Sequence, residues 1–157
     1  MSARDAEDAV VDELLELLRA LGEQSQRLVR AFAVQQGLHP TDASALFWVV
    51  EHEQRAQPLT TGELATAVGV TPGAATGIVD RLIAQGYVRR QQDATDRRRV
   101  LLHLEAAGRD AAGLFFGRLA VHTRSLMAAY SAPQLETVMA FLRDFEAACD
   151  TSLSPAP

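Results

Sequence analysis

Apolar positions along this chain follow a helical period in six stretches and an alternating period in one. Over residues 6–35, Leu14, Leu18, Leu21, Ser25, Leu28 and Phe32 recur at spacings of four and three. Val10, Val11, Leu15, Leu17 and Val29 widen the stripe. That pattern predicts one long amphipathic helix. Gly37 suits its C-terminal stop, and Pro40 suits the first turn of a second helix over 40–54, which carries Ala43, Leu46, Phe47, Val49 and Val50. Further along, 105–130 and 133–150 are again helical. Phe115, Leu119, His122 and Leu126 share one stripe of the first, and Leu135, Val138, Leu142, Phe145 and Cys149 one stripe of the second.

The middle of the chain is denser in signals. Thr60-Thr61-Gly62-Glu63 has the spacing of a capping box, and a short helix follows and stops at Gly69. Thr71-Pro72 then reads as an N-cap and a proline at the first helical position, opening a helix to about residue 85. Two short helices joined by a glycine-containing turn predict a helix-turn-helix. After Gly86 the period becomes alternating. Residues 87–92 and 99–104 read as strands around the polar Asp93-Ala94-Thr95-Asp96-Arg97-Arg98, giving a β-hairpin with an arginine-rich tip.

Charge changes the picture. The net charge of −5 disfavours a nucleic-acid partner until its distribution is considered. Residues 60–104 hold six arginines against four acids, while the rest of the chain holds nine against sixteen. Basic charge is therefore concentrated at the hairpin and the helix before it, the footprint expected of a local DNA contact. Lysine is absent, so every fixed side-chain cation is a guanidinium able to fork onto phosphate or guanine.

Other classes find little support. No apolar run approaches the roughly 18 residues of a membrane span, and the acidic start lacks the layout of a secretory signal. A cytoplasmic protein is expected. There is no nucleophile elbow and no phosphate-cradling glycine loop, so no enzyme and no cofactor are predicted. Four scattered histidines (His39, His52, His103, His122) and one cysteine predict no metal site. Cys149, on an apolar stripe, reads as a buried inert thiol; a redox-responsive regulator using it is an alternative.

In Leu64-Ala65, Val68-Gly69-Val70, Thr76 to Leu82, Gly86-Tyr87-Val88-Arg89-Arg90 and Asp96-Arg97-Arg98, the chain resembles the MarR family of winged helix-turn-helix regulators. The expected fold is mainly α. A single module over 6–150 contains a DNA-binding region at 38–104 and helical dimerisation regions at 6–36 and 105–150; flexible tails are expected at 1–5 and 151–157. The helix at 71–85 should enter the major groove, with Thr71, Gly73, Ala74, Thr76 and Gly77 outward and Arg81 as a phosphate clamp or surface residue. Arg97, Arg98 and Arg99 should reach phosphates or a narrow minor groove.

The resemblance implies that Arg98 pairs with Asp80 and ties the wing to this helix. It also implies a repressor released by a small aromatic, phenolic or drug-like ligand, for which Trp48, His52 and His122 are candidates. Leu14, Leu18, Leu21, Leu135, Val138, Leu142 and Phe145 fit a dimer core. A homodimer would present two recognition helices to a near-palindromic operator on double-stranded DNA. The rival is a winged-helix module that binds protein rather than DNA.

Overall fold

The computed structural model describes residues 3–153. Its elements run α1 (Ala3–Gln36), α2 (Pro40–Gln54), α3 (Thr61–Val68), α4 (Pro72–Ala84), β1 (Val88–Gln92), β2 (Val100–Leu104), α5 (Ala106–Met127) and α6 (Ala132–Leu153). This is a winged-helix fold, mainly α with one two-stranded antiparallel sheet. Ala3–Asp5 and residues 151–153 are helical where the sequence predicts loose tails; the remaining residues of those tails lie outside the described ones.

The chain divides within α5, after Phe115, into two compact units. The first contains the core: Phe32 of α1, Leu46 and Val49 of α2, Leu64 of α3, Val79 and Leu82 of α4, Val88 of β1 and Leu102 of β2 are all at most 1% exposed. Only the last turns of α1 take part in it. Phe32 meets Phe115 edge to face, ring centroids 5.3 Å apart, an arrangement favoured by the aromatic quadrupole. The N-terminal part of α1 leaves Val10, Leu17 and Leu21 exposed. In the second unit, Leu126, Val138, Leu142 and Phe145 are likewise exposed, and Leu135 is half-buried.

Local chemistry sets the element ends. Thr60 accepts from the Glu63 N–H at 3.2 Å while the Glu63 carboxylate accepts from the Thr60 N–H at 2.7 Å, so the capping box is closed in both directions. Gly69, at φ +73°, ends α3. Its N–H donates to the Thr66 carbonyl and that of Val70 to the Ala65 carbonyl, satisfying two carbonyls that a helix end would leave open. This left-handed turn aims the chain into α4. The hairpin pairs Val88 with Leu104 and Gln92 with Val100. A bridge from Thr60 to Leu101 and a 2.7 Å bond from the Leu102 N–H to the Leu59 carbonyl fasten the wing to the entry of α3.

Gly108 marks the tightest approach. A Cβ there would stand 2.4 Å from the Tyr87 carbonyl oxygen and 3.1 Å from Leu104 Cδ2. Because both neighbours belong to the wing's base, Gly108→Ala should lower unfolding free energy by about 1–3 kcal/mol, outweighing a helix-propensity gain of about 1 kcal/mol. A urea titration measures this. An unchanged midpoint would mean that the base of the wing yields freely.

Candidate nucleic-acid interface

Thr71 caps α4 by accepting from the Ala74 N–H at 3.3 Å, and Pro72 fills the first turn. Thr71, Gly73, Ala74 and Thr76 are exposed and Gly77 is half-exposed, while Ala75, Ile78, Val79 and Leu82 face the core. The outward face predicted from sequence is therefore the outward face in the structure. Its polar capacity is small: the Thr76 hydroxyl already donates to the Pro72 carbonyl at 3.0 Å, leaving its lone pairs as acceptors.

The wing tip is held by its own turn. Asp93 Oδ1 accepts from the Thr95 N–H at 2.7 Å and from the Thr95 hydroxyl at 2.8 Å. The backbone bond from Thr95 is the main reason the Asp93 carboxyl lies below its ordinary pKa. The Asp93 N–H donates to the Arg99 carbonyl, and Gln92 Nε2 donates to the Arg97 carbonyl at 2.8 Å. Arg97 and Arg98 project from this fixed loop. Arg97 is exposed with no ion-pair partner among the described residues. The Arg98 side chain is 93% exposed and makes a 3.4 Å contact with Asp96 of its own turn.

That geometry corrects the wing-to-helix link. Asp80 of α4 pairs with Arg90 of β1 at 2.7 Å, and not with Arg98. Arg90 stands in the regular part of the strand, ten residues from Asp80, whereas Arg98 lies beyond the hairpin's far end. The resemblance concealed Arg90 because adjacent arginines at 89 and 90 look alike in sequence; strand alternation sends Arg89 to Glu105 at 2.9 Å and Arg90 to Asp80. Arg99 is also engaged, with Glu63 of α3 at 3.0 Å. Arg81 forks onto Asp42 of α2, Nε to Oδ2 at 2.8 Å and Nη2 to Oδ1 at 2.6 Å. Asp42, Glu63 and Arg90 thus join the site without having been assigned a role in it from the sequence. Glu63 left a signal there as a capping residue, and Arg90 as one of the residues that carry the resemblance and of the arginine cluster; Asp42 left none.

Of the ligand candidates, Trp48 lines a cleft of about 500 Å³ between α1, α2 and α3, together with Ser25, Gln26, Arg30, Thr41 and Ser44. His52 does not line the cleft: its ring lies 5.9 Å from that of Trp48, and its Nδ1 lies 3.1 Å from the Gln57 carbonyl, to which it can only donate. His122 is exposed on α5 beyond Phe115. Cys149 is exposed too, where a buried thiol was expected: residue 149 lies on α6, where the apolar stripe is uncovered within its unit. Among the described residues no His, Cys, Asp and Glu group could hold a metal, and no helix is long and apolar enough to cross a membrane.

Comparison with known proteins decides the family. The model of the MarR family matches residues 36–99, from the end of α1 through the wing tip. An uncharacterised HTH-type transcriptional regulator, YcgE of Bacillus subtilis, is 33% identical over 142 residues, 90% of each chain. The chain belongs to the MarR family. It is a transcriptional regulator and not an enzyme. MarR-type folds of lower identity superpose along most of its length. A MepR variant from Staphylococcus aureus has a TM-score of 0.67 at 19% identity, covering 87% of this chain and 96% of its own. The regulator Tm0710 of Thermotoga maritima has a TM-score of 0.57 at 21% identity, covering 92% and 99%. MepR solved with DNA also has a TM-score of 0.57, at 19% identity, covering 85% and 94%.

Glu63 makes the stability of this region sensitive to acid. The Thr60 backbone N–H, ahead of the Thr60 hydroxyl and Arg99, lowers its carboxyl pKa below the ordinary 4.5. Its contribution to folding is therefore complete above that ordinary value and disappears as pH falls through the lowered one. Glu63→Gln should destabilise the chain at neutral pH by about 1 kcal/mol or less from the half-exposed Arg99 pair, with the difference closing toward pH 3. Paired urea titrations across that range measure it; a gap that widens in acid refutes the assignment. Asp80→Ala should raise hydrogen exchange along β1 by releasing Arg90.

Proposed function

We propose that this MarR-family chain is a sequence-specific DNA-binding repressor that acts as a homodimer on a near-palindromic operator and is released by a small aromatic ligand. The observation that carries the DNA reading is the hydrogen-bonded wing tip, which leaves Arg97 and Arg98 exposed to solvent while Arg89, Arg90 and Arg99 are taken up by carboxylates of other elements. An unpaired Arg97 guanidinium, and an Arg98 guanidinium held only by a long contact to Asp96 of its own turn, beside an exposed, slender helix face suit phosphate and minor-groove contacts. The small residues of α4 favour modest direct readout, so DNA shape should contribute much of the sequence choice.

Dimerisation is supported by the apolar faces left open separately on α1 and α6, each larger in extent than scattered surface leucines. A ligand role is supported by the cleft at Trp48, whose volume falls in the range of small-molecule sites. An indole ring, the Arg30 cation and the Ser44 hydroxyl suit an aromatic compound bearing a polar group.

Selection of bound fragments from a random duplex library, with sedimentation of the purified chain, tests the reading. A dimer and a two-fold related motif are expected. Arg97→Ala should weaken binding to every selected duplex and make the slope of log K against log[salt] shallower by about 1. A chain that sediments as a monomer and ignores all duplexes at low ionic strength would sink it.

A further inference from the structure

Arg81 stands on the C-terminal half of α4, yet its guanidinium runs back along the helix, as long helical side chains do. Position 77, one turn earlier, is a glycine; a Cβ there would lie 3.6 Å from Nη1 of Arg81. The Nε and Nη2 edge is fixed by the two oxygens of Asp42. Asp42 is 3% exposed, whereas the Arg81 side chain is 54% exposed. One edge of the guanidinium is anchored in protein. Nη1 has no hydrogen-bond partner among the described residues and lies beside Gly77, one turn earlier on the same helix.

We propose that Arg81 donates from Nη1 to a DNA phosphate, and that Asp42, which touches no DNA, is the residue that positions it. The inference rests on the DNA-binding reading above and adds an anchor on a different helix. Anchoring has two opposed consequences. An arginine already fixed in its bound geometry loses less side-chain freedom when the phosphate arrives. The Asp42 charge, in turn, reduces the attraction between Arg81 and the phosphate. If positioning dominates, removing the carboxylate weakens binding; if Asp42 only competes with the phosphate, removing it tightens binding. The sign separates the two.

The test uses the full-length chain and a duplex recovered by its own selection, followed by fluorescence anisotropy over a range of salt. Asp42→Asn keeps the shape and removes the charge. It should weaken binding about tenfold and make the salt slope shallower by about 1, as Arg81→Ala does. In the Arg81→Ala background, Asp42→Asn should change neither quantity further. Unchanged or tighter binding by Asp42→Asn overturns the proposal, as does a further loss in the Arg81→Ala background, which would mark a structural role alone. Should Asp42→Asn fail to fold by circular dichroism, Arg81→Lys carries the test. A lysine keeps the charge but cannot fork onto Asp42 while meeting a phosphate, so it should bind as weakly as Arg81→Ala; binding equal to wild type overturns the proposal. A wild-type chain that binds no duplex ends the DNA reading and this inference together, an outcome distinct from wild-type binding with unaffected variants.

Discussion

A carboxylate buried at the start of α2 organises the packing of α4. Asp42 is almost fully enclosed, and an isolated charge in that setting would be costly. The fork from Arg81 supplies both hydrogen bonds and the compensating charge. Because the partners stand on α2 and α4, satisfying one carboxylate fixes α4 against α2. Val79 and Leu82 of α4 and Leu46 and Val49 of α2 are buried in the same core, but burial alone has no direction. The fork gives the contact a definite register.

The same logic recurs outward from that pair. Asp80 holds Arg90, Glu63 holds Arg99 and Glu105 holds Arg89. These exposed or half-exposed pairs contribute little to stability singly. Their effect is to sort the cations. A cluster of six arginines could form one diffuse basic surface; instead four are directed into protein contacts and Arg97 and Arg98 remain at the tip of a turn stiffened by Asp93. The acids of this region do not oppose its charge so much as determine where that charge stands.

Elsewhere the chain leaves work unfinished. Over its N-terminal two thirds, α1 presents Val10, Leu17 and Leu21 to solvent, and α6 presents Val138, Leu142 and Phe145. Apolar stripes at helical spacing are ordinarily built to be covered. The compact core of the first unit needs only Phe32 and its neighbours from α1, so most of that helix serves something other than the fold of its own unit.

Much of this was legible in the sequence because it depends on near neighbours. The capping box at Thr60, the Thr71-Pro72 start of α4, the stop at Gly69 and the hairpin after Gly86 are all decided within a few residues, where backbone hydrogen bonds and side-chain period act directly. Partner choice among charges was not legible. Arg90 rather than Arg98 meets Asp80 because strand alternation and hairpin length set which guanidinium lies over α4. Asp42 meets Arg81 across 39 residues of chain. The exposure of Cys149 likewise depends on what covers α6. Local pattern determined the elements and the concentration of charge. Only tertiary packing decided which charges cancel and which remain available, because electrostatic pairing depends on distance through space and not on distance along the chain.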